Sequence, residues 1–166
     1  MASTRSFLFI VVILALLHSF NIVPSKFVQN FCRGQDNLHA CLSAITLDPK
    51  STTVSNYHDL VQIILKLART NTTHSKNLLI ASKRKYNPYA MKGCIDGFQG
   101  ASLSFNSVLM EVDEDLETCN YDVFVARYGA AQCESFFQHA KIKYPPKISS
   151  KAEYIILYSI LGSMIT

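Results

Sequence analysis

Leu116, Cys119, Val123, Ala126, Ala130, Cys133, Phe137 and Ala140 recur at spacings of 3, 4, 3, 4, 3, 4 and 3. A strand repeats its faces every two residues, so it cannot gather these side chains. A helix can, along one narrow stripe that needs a partner. Alanine at 126 and 130, in the middle of the seam, predicts that the partner packs tightly against it. The chain must therefore fold as packed helices.

The remaining segments fit that requirement. Residues 26–47 read as two short helices flanking "RGQDN", with Asp36 or Asn37 capping the second. Leu38, Cys41, Leu42 and Ile45 give that second helix an apolar face. "DPKSTTVSN" breaks the chain. A long helix then spans about 56–86, with Leu60, Ile64, Leu67, Asn71, His74, Leu78 and Ser82 near helical spacing. Its middle, 70–75, is polar, and an interruption there is open. Asn87 and Pro88 read as cap and first residue of the next helix. Met91, Cys94, Ile95, Phe98, Ala101, Phe105, Leu109 and Val112 form its stripe. "VDEDLE" (112–117) marks a turn and "KYPPK" (143–147) another. The last helix runs from about Ser150, with Ala152, Ile155, Ile156, Ser159, Ile160 and Ser163 facing inward. No alternating strand pattern or internal repeat is present. The expected fold is all-α: an antiparallel four-helix bundle, up-down-up-down, behind a short N-terminal helical hairpin.

Five cysteines leave one unpaired. Cys119 and Cys133 share a helix and lie 14 residues, roughly 21 Å, apart. A disulfide needs Cα atoms within about 7 Å. In a helical hairpin, residues equidistant from the turn lie side by side. The midpoint of positions 94 and 133 is 113.5, inside "VDED". Cys94 therefore pairs with Cys133, and Cys119, level with Val108, is a buried free thiol. Cys32 and Cys41 then close their own small loop. Chain entropy assigns about 2.5 kcal/mol to the short loop and about 4 kcal/mol to the long one. A zinc site in "CRGQDNLHAC" would need four ligands with paired short spacings, and His39 is the only suitable neighbour. No metal or cofactor is expected.

The N-terminus indicates the compartment. Arg5, the apolar run Phe7–Leu17 and the small residues before position 26 have the layout of a secretory leader, 1–25, cut after Ser25. The domain is then 26–166, with a net charge of +3 once Arg5 is lost. That charge is too mild and too spread for a nucleic-acid partner, and "SKRKY" (82–86) reads as a solvated helix end. "YIILYSILGSMIT" is too short and too rich in hydroxyls for a membrane span, so no membrane association is expected after leader cleavage. An oxidising, extracellular location permits both disulfides. It also makes Asn71, in "NTT", a candidate glycan acceptor.

C-x8-C in a short hairpin, "GCIDGFQGASLSF" in one bundle helix and "AQCESFF" in the next resemble the plant invertase and pectin methylesterase inhibitor family. The resemblance spans the whole chain after the leader, and the cysteine framework is its most specific part. It implies a four-helix bundle with disulfides Cys32–Cys41 and Cys94–Cys133. It also implies a secreted apoplastic protein that is not an enzyme. Such a protein forms a one-to-one complex with a wall enzyme, pectin methylesterase or, alternatively, acid invertase. The sequence departs from the family pattern in three places. There is no cysteine in the last helix, Gln132 stands where threonine is familiar, and "LET" (116–118) stands where invertase inhibitors carry "PKF". Both targets stay open.

Inhibition by such a protein is steric, so it needs a shaped polar surface rather than a reactive group. The solvent faces of the second and third bundle helices are the expected surface. They offer Asp96, Gln99, Ser102 and Asn106 on one helix, and Asp122, Arg127 and Gln132 on the other. His39, His58, His74 and His139 sit in no motif with a nucleophile or paired carboxylates, and His74 reads as a core histidine. The carboxylates of "DEDLE" suit a helix start. A helical ligand carrier or structural protein is the different-class alternative, and it would need a large enclosed cavity.

Overall fold

The computed structural model describes residues 23–165, apart from the Leu116 side chain. The expected leader lies outside the described residues except for Val23, Pro24 and Ser25. Six α-helices follow one another: α1 (Lys26–Arg33), α2 (Leu38–Ile45), α3 (Tyr57–Ser82), α4 (Pro88–Glu111), α5 (Leu116–His139) and α6 (Pro146–Ser163). Short 3₁₀ turns, Pro49–Thr52 and Lys83–Lys85, precede and follow α3. Helices α3 to α6 form the antiparallel bundle, and α1–α2 is the hairpin in front of it.

Helix starts are set by capping side chains. Asn37, Asn56, Asn87 and Asp115 each accept a backbone N–H from the first turn of the helix they open. Asn37, and not Asp36, caps α2. Helix α6 begins at Pro146, four residues before the position expected from periodicity. Proline at the first helical position loses no hydrogen bond, so "PP" opens this helix instead of preceding it. Ser25 caps α1: its hydroxyl accepts from Val28 N and donates to Val54 O at 2.6 Å, while its own N–H donates to Ser51 O. A cut after Ser25 would leave α1 without that cap.

The α5 seam is buried as its spacing requires. Cys119, Val123, Ala126, Ala130, Cys133 and Phe137 are all fully buried, and Ala140 is half-buried. Opposite them on α4 lie Met91, Cys94, Phe98, Ala101, Phe105 and Val108. The two backbones touch. A Cβ added to Gly97 would sit 2.3 Å from the Gly129 carbonyl oxygen, and one added to Gly129 would sit 2.7 Å from that of Gly97. Cys94 and Cys133 are joined one turn away, with Cα atoms 4.4 Å apart. Cys119 donates its thiol proton to Val108 O, the residue level with it across the hairpin. Burial, aided by Glu111 and other nearby carboxylates, pushes the Cys119 thiol up from its ordinary value, so it stays protonated and unreactive.

Helix α3 is continuous through its polar middle. Its buried stripe is Leu60, Val61, Ile64, Leu65, Ala68, Thr72, Ser75 and Leu79. His74 and Leu78, expected inside, are exposed. On α6, Tyr158 is fully buried and reaches across the bundle. Its hydroxyl donates to Ala44 O of α2 at 3.2 Å and accepts from Asn71 Nδ2 of α3 at 3.3 Å. Burial pushes this phenol up to about 12. One side chain thus binds the hairpin and two bundle helices together. Cys32 and Cys41 are joined within the hairpin, with Cα atoms 5.6 Å apart. Tyr158, Phe98, Phe105 and Phe137 fill the bundle interior where a carrier would need a void.

Candidate functional site

The expected docking residues do not form one surface. On α4, Asp96 is exposed and paired with Lys92 one turn back. Gln99, Ser102 and Asn106 are half-buried and tied to α3: Gln99 accepts from Lys76 Nζ at 2.7 Å, Ser102 shares a hydrogen bond with Thr73 at 2.9 Å, and Asn106 accepts from Arg69. They close the α3–α4 groove. On α5, Asp122, Arg127 and Gln132 are spaced by five, about 140° around a helix, so they point three ways. Arg127 is exposed; Asp122 and Gln132 are half-buried.

A different set of residues shares a face. Tyr121, Phe124 and Tyr128 project from α5 at 67%, 61% and 58% exposure. Their spacing of three and four makes a second stripe, outside the seam. Gln132 continues this row in a shallow groove with Tyr89 and Phe136, whose rings meet edge to face at 5.7 Å. Leu103 and Met110, one heptad apart, are exposed on the outer side of the neighbouring α4. The outer face of α4–α5 is therefore aromatic and apolar, with polar residues at its edges. Tyr121, Phe124, Tyr128, Leu103 and Met110 are not among the polar candidates. The signal was present, because large apolar side chains off the core stripe of an amphipathic helix mark an unburied apolar face.

No chemistry is built beneath this surface. Among the described residues no three His, Cys, Asp or Glu side chains gather as a metal site, and His39 is exposed beside the Cys32–Cys41 disulfide. Asn71 is half-buried, and its Nδ2 donates to Leu67 O as well as to Tyr158. A glycan would take one of the two N–H groups, so at most one of these bonds could persist. At the α4–α5 turn, His58 Nε2 donates to Asp113 at 2.7 Å. That hydrogen bond and the Asp113 charge, with a smaller contribution from Asp59, raise the His58 pKa above 6.5.

The family described as plant invertase/pectin methylesterase inhibitor matches residues 26–161. The chain belongs to this family. Its members are enzyme inhibitors, directed at invertase or pectin methylesterase. Two solved structures share the inhibitor fold. A crystal structure of a mutant form of a pectin methylesterase inhibitor from Arabidopsis is 16% identical, with a TM-score of 0.71, over 85% of this chain and 95% of that one. A crystal structure of a pectin methylesterase inhibitor from Arabidopsis thaliana is 18% identical, with a TM-score of 0.61, over 86% and 95%. No curated protein matches the chain. Among the described residues no helix is long and apolar enough to cross a membrane.

Proposed function

We propose that this inhibitor is secreted and blocks pectin methylesterase by laying the outer face of α4–α5 across the entrance to the enzyme's cleft. The row Tyr121, Phe124 and Tyr128 supports this reading. Large aromatic side chains, exposed on a rigid helix pair with no reactive group near them, are the composition of an interface core. Leu103, Met110 and Gln132 extend that core, while Asp96 and Arg127 sit at its rim. A one-to-one complex follows if this single face carries the contact. Pectin methylesterase is preferred over acid invertase because both Arabidopsis structures with this fold are of pectin methylesterase inhibitors.

The test is titration of the purified protein against pectin methylesterase and acid invertase in parallel. Stoichiometric inhibition of the esterase alone is expected, and Phe124→Ala with Tyr128→Ala should weaken it by about a hundredfold, in line with aromatic anchors of other interfaces. Inhibition of invertase instead would reassign the target. A double variant that inhibits like the parent would move the docking face elsewhere.

A further inference from the structure

The bundle is electrically polarised along its axis. Lys83, Arg84 and Lys85 lie in the α3–α4 turn, and Lys141 and Lys143 in the α5–α6 turn. Up-down-up-down topology puts both turns at the same end. The aromatic chain from Tyr86 through Phe137 to Tyr144 links them, with ring centroids 6.5 and 5.3 Å apart. Lys147 and Lys151, from the first turns of α6, face Lys85 across a groove of about 480 Å³ floored by Leu78, Leu79 and Ile148. Among the described residues none of these seven cations pairs with a carboxylate. Glu134 and Glu153, close to Tyr144, bring some negative charge near them. The opposite end carries Glu111, Asp113, Glu114, Asp115 and Glu117 around the α4–α5 turn.

A solvated helix end accounts for "SKRKY" alone, but not for lysines from two distant segments converging on one groove. Self-repulsion among unpaired cations is relieved by a polyanion. We infer that this basic end binds an acidic polysaccharide, whose carboxylates repeat along a chain as the lysines do along the groove. Ser82 and Ser150 line the groove beside Lys85, Lys147 and Lys151. A groove for single-stranded nucleic acid would offer free aromatic faces for bases. Here Tyr86 and Tyr144 are packed on Phe137 instead. The acidic end repels the same polymer, so the protein binds it with one pole. The inference holds whichever enzyme is the target, because it uses neither Tyr121, Phe124 nor Tyr128.

The experiment is binding of the purified protein to polygalacturonate, with fully methyl-esterified pectin, duplex DNA and phosphatidylserine vesicles as comparisons. Polygalacturonate should bind in preference to all three and release as salt rises. The K85Q/K147Q/K151Q variant should bind at least about tenfold more weakly, and K66Q/R69Q, basic but mid-bundle, within about twofold of the parent. Lys85 and Lys147 are exposed and Lys151 is half-buried, and among the described residues none of the three pairs with a carboxylate, so the melting temperature of the first variant should not fall, and its enzyme inhibition should match the parent. Equal binding of esterified pectin, tighter binding of DNA or vesicles, or equal losses in the two variants would overturn the inference. Loss of inhibition in the F124A/Y128A protein with polymer binding intact would leave it standing.

Discussion

Helices α4 and α5 meet backbone to backbone at Gly97 and Gly129, whereas α3 and α6 meet through side chains, with Tyr158 reaching Asn71 and Ala44. The first contact has no spare space and is locked by Cys94–Cys133. The second has a polar centre, with Thr72, Ser75 and Ser159 also buried. Close approach of backbones gains dispersion but tolerates no added atom. A hydrogen-bonded side-chain contact tolerates small changes but fails when a partner is removed. The two halves of one bundle should therefore fail differently.

Removing the disulfide tests the first half most severely. Replacing Cys94 and Cys133 together by alanine should cost about 4 kcal/mol in urea unfolding, because the closed loop spans 39 residues. Gly97→Ala comes next. Its methyl group would press on the Gly129 carbonyl, and separating the helices should cost about 3 kcal/mol. A loss below about 1 kcal/mol would mean that the helices can part freely and would dissolve the contrast. Tyr158→Phe probes the other half. It keeps the ring but strips partners from Ala44 O and Asn71 Nδ2, for a cost of about 1.5 kcal/mol. Hydrogen exchange should then rise first in α2, which the hydroxyl anchors, and not in α5.

The smallest effect lies at the acidic end. The folded-state pKa of His58 is raised by Asp113, so its stabilisation is complete below pH 6.5 and is lost as pH rises through the folded value. The melting-temperature difference between the parent and His58→Gln should be larger at pH 5 than at pH 8. An equal difference at both would remove His58 from the account.

The sequence shows these halves with unequal clarity. The α5 seam can be read from spacing because its residues keep one unbroken three-four interval from Leu116 to Ala140. Once the turn is placed, Cys119 falls level with Val108 and Cys94 with Cys133. Helix α3 hides its inner face, because residues 70–75 are all polar and periodicity cannot say that Thr72 and Ser75 are the buried ones. Helix α6 is apolar nearly all round from Tyr154 to Leu161, so the expected inward face, with Ile156, Ile160 and Ser163, passes over Tyr158, the largest fully buried side chain among the described residues. The exposed aromatic row on α5 is less legible for a chemical reason. Surfaces are expected to be polar, so the residues chosen were polar, and three of them proved to be mortar between α3 and α4. The basic end was missed because its lysines lie some sixty residues apart in the chain, and only the antiparallel topology brings them together.

The contact between Gly97 and Gly129 also bears on recognition. The exposed aromatic row and its apolar neighbours ride on two backbones that have a single permitted separation. A partner therefore meets one stiff plate, and association spends no conformational entropy on bringing the two helices into place.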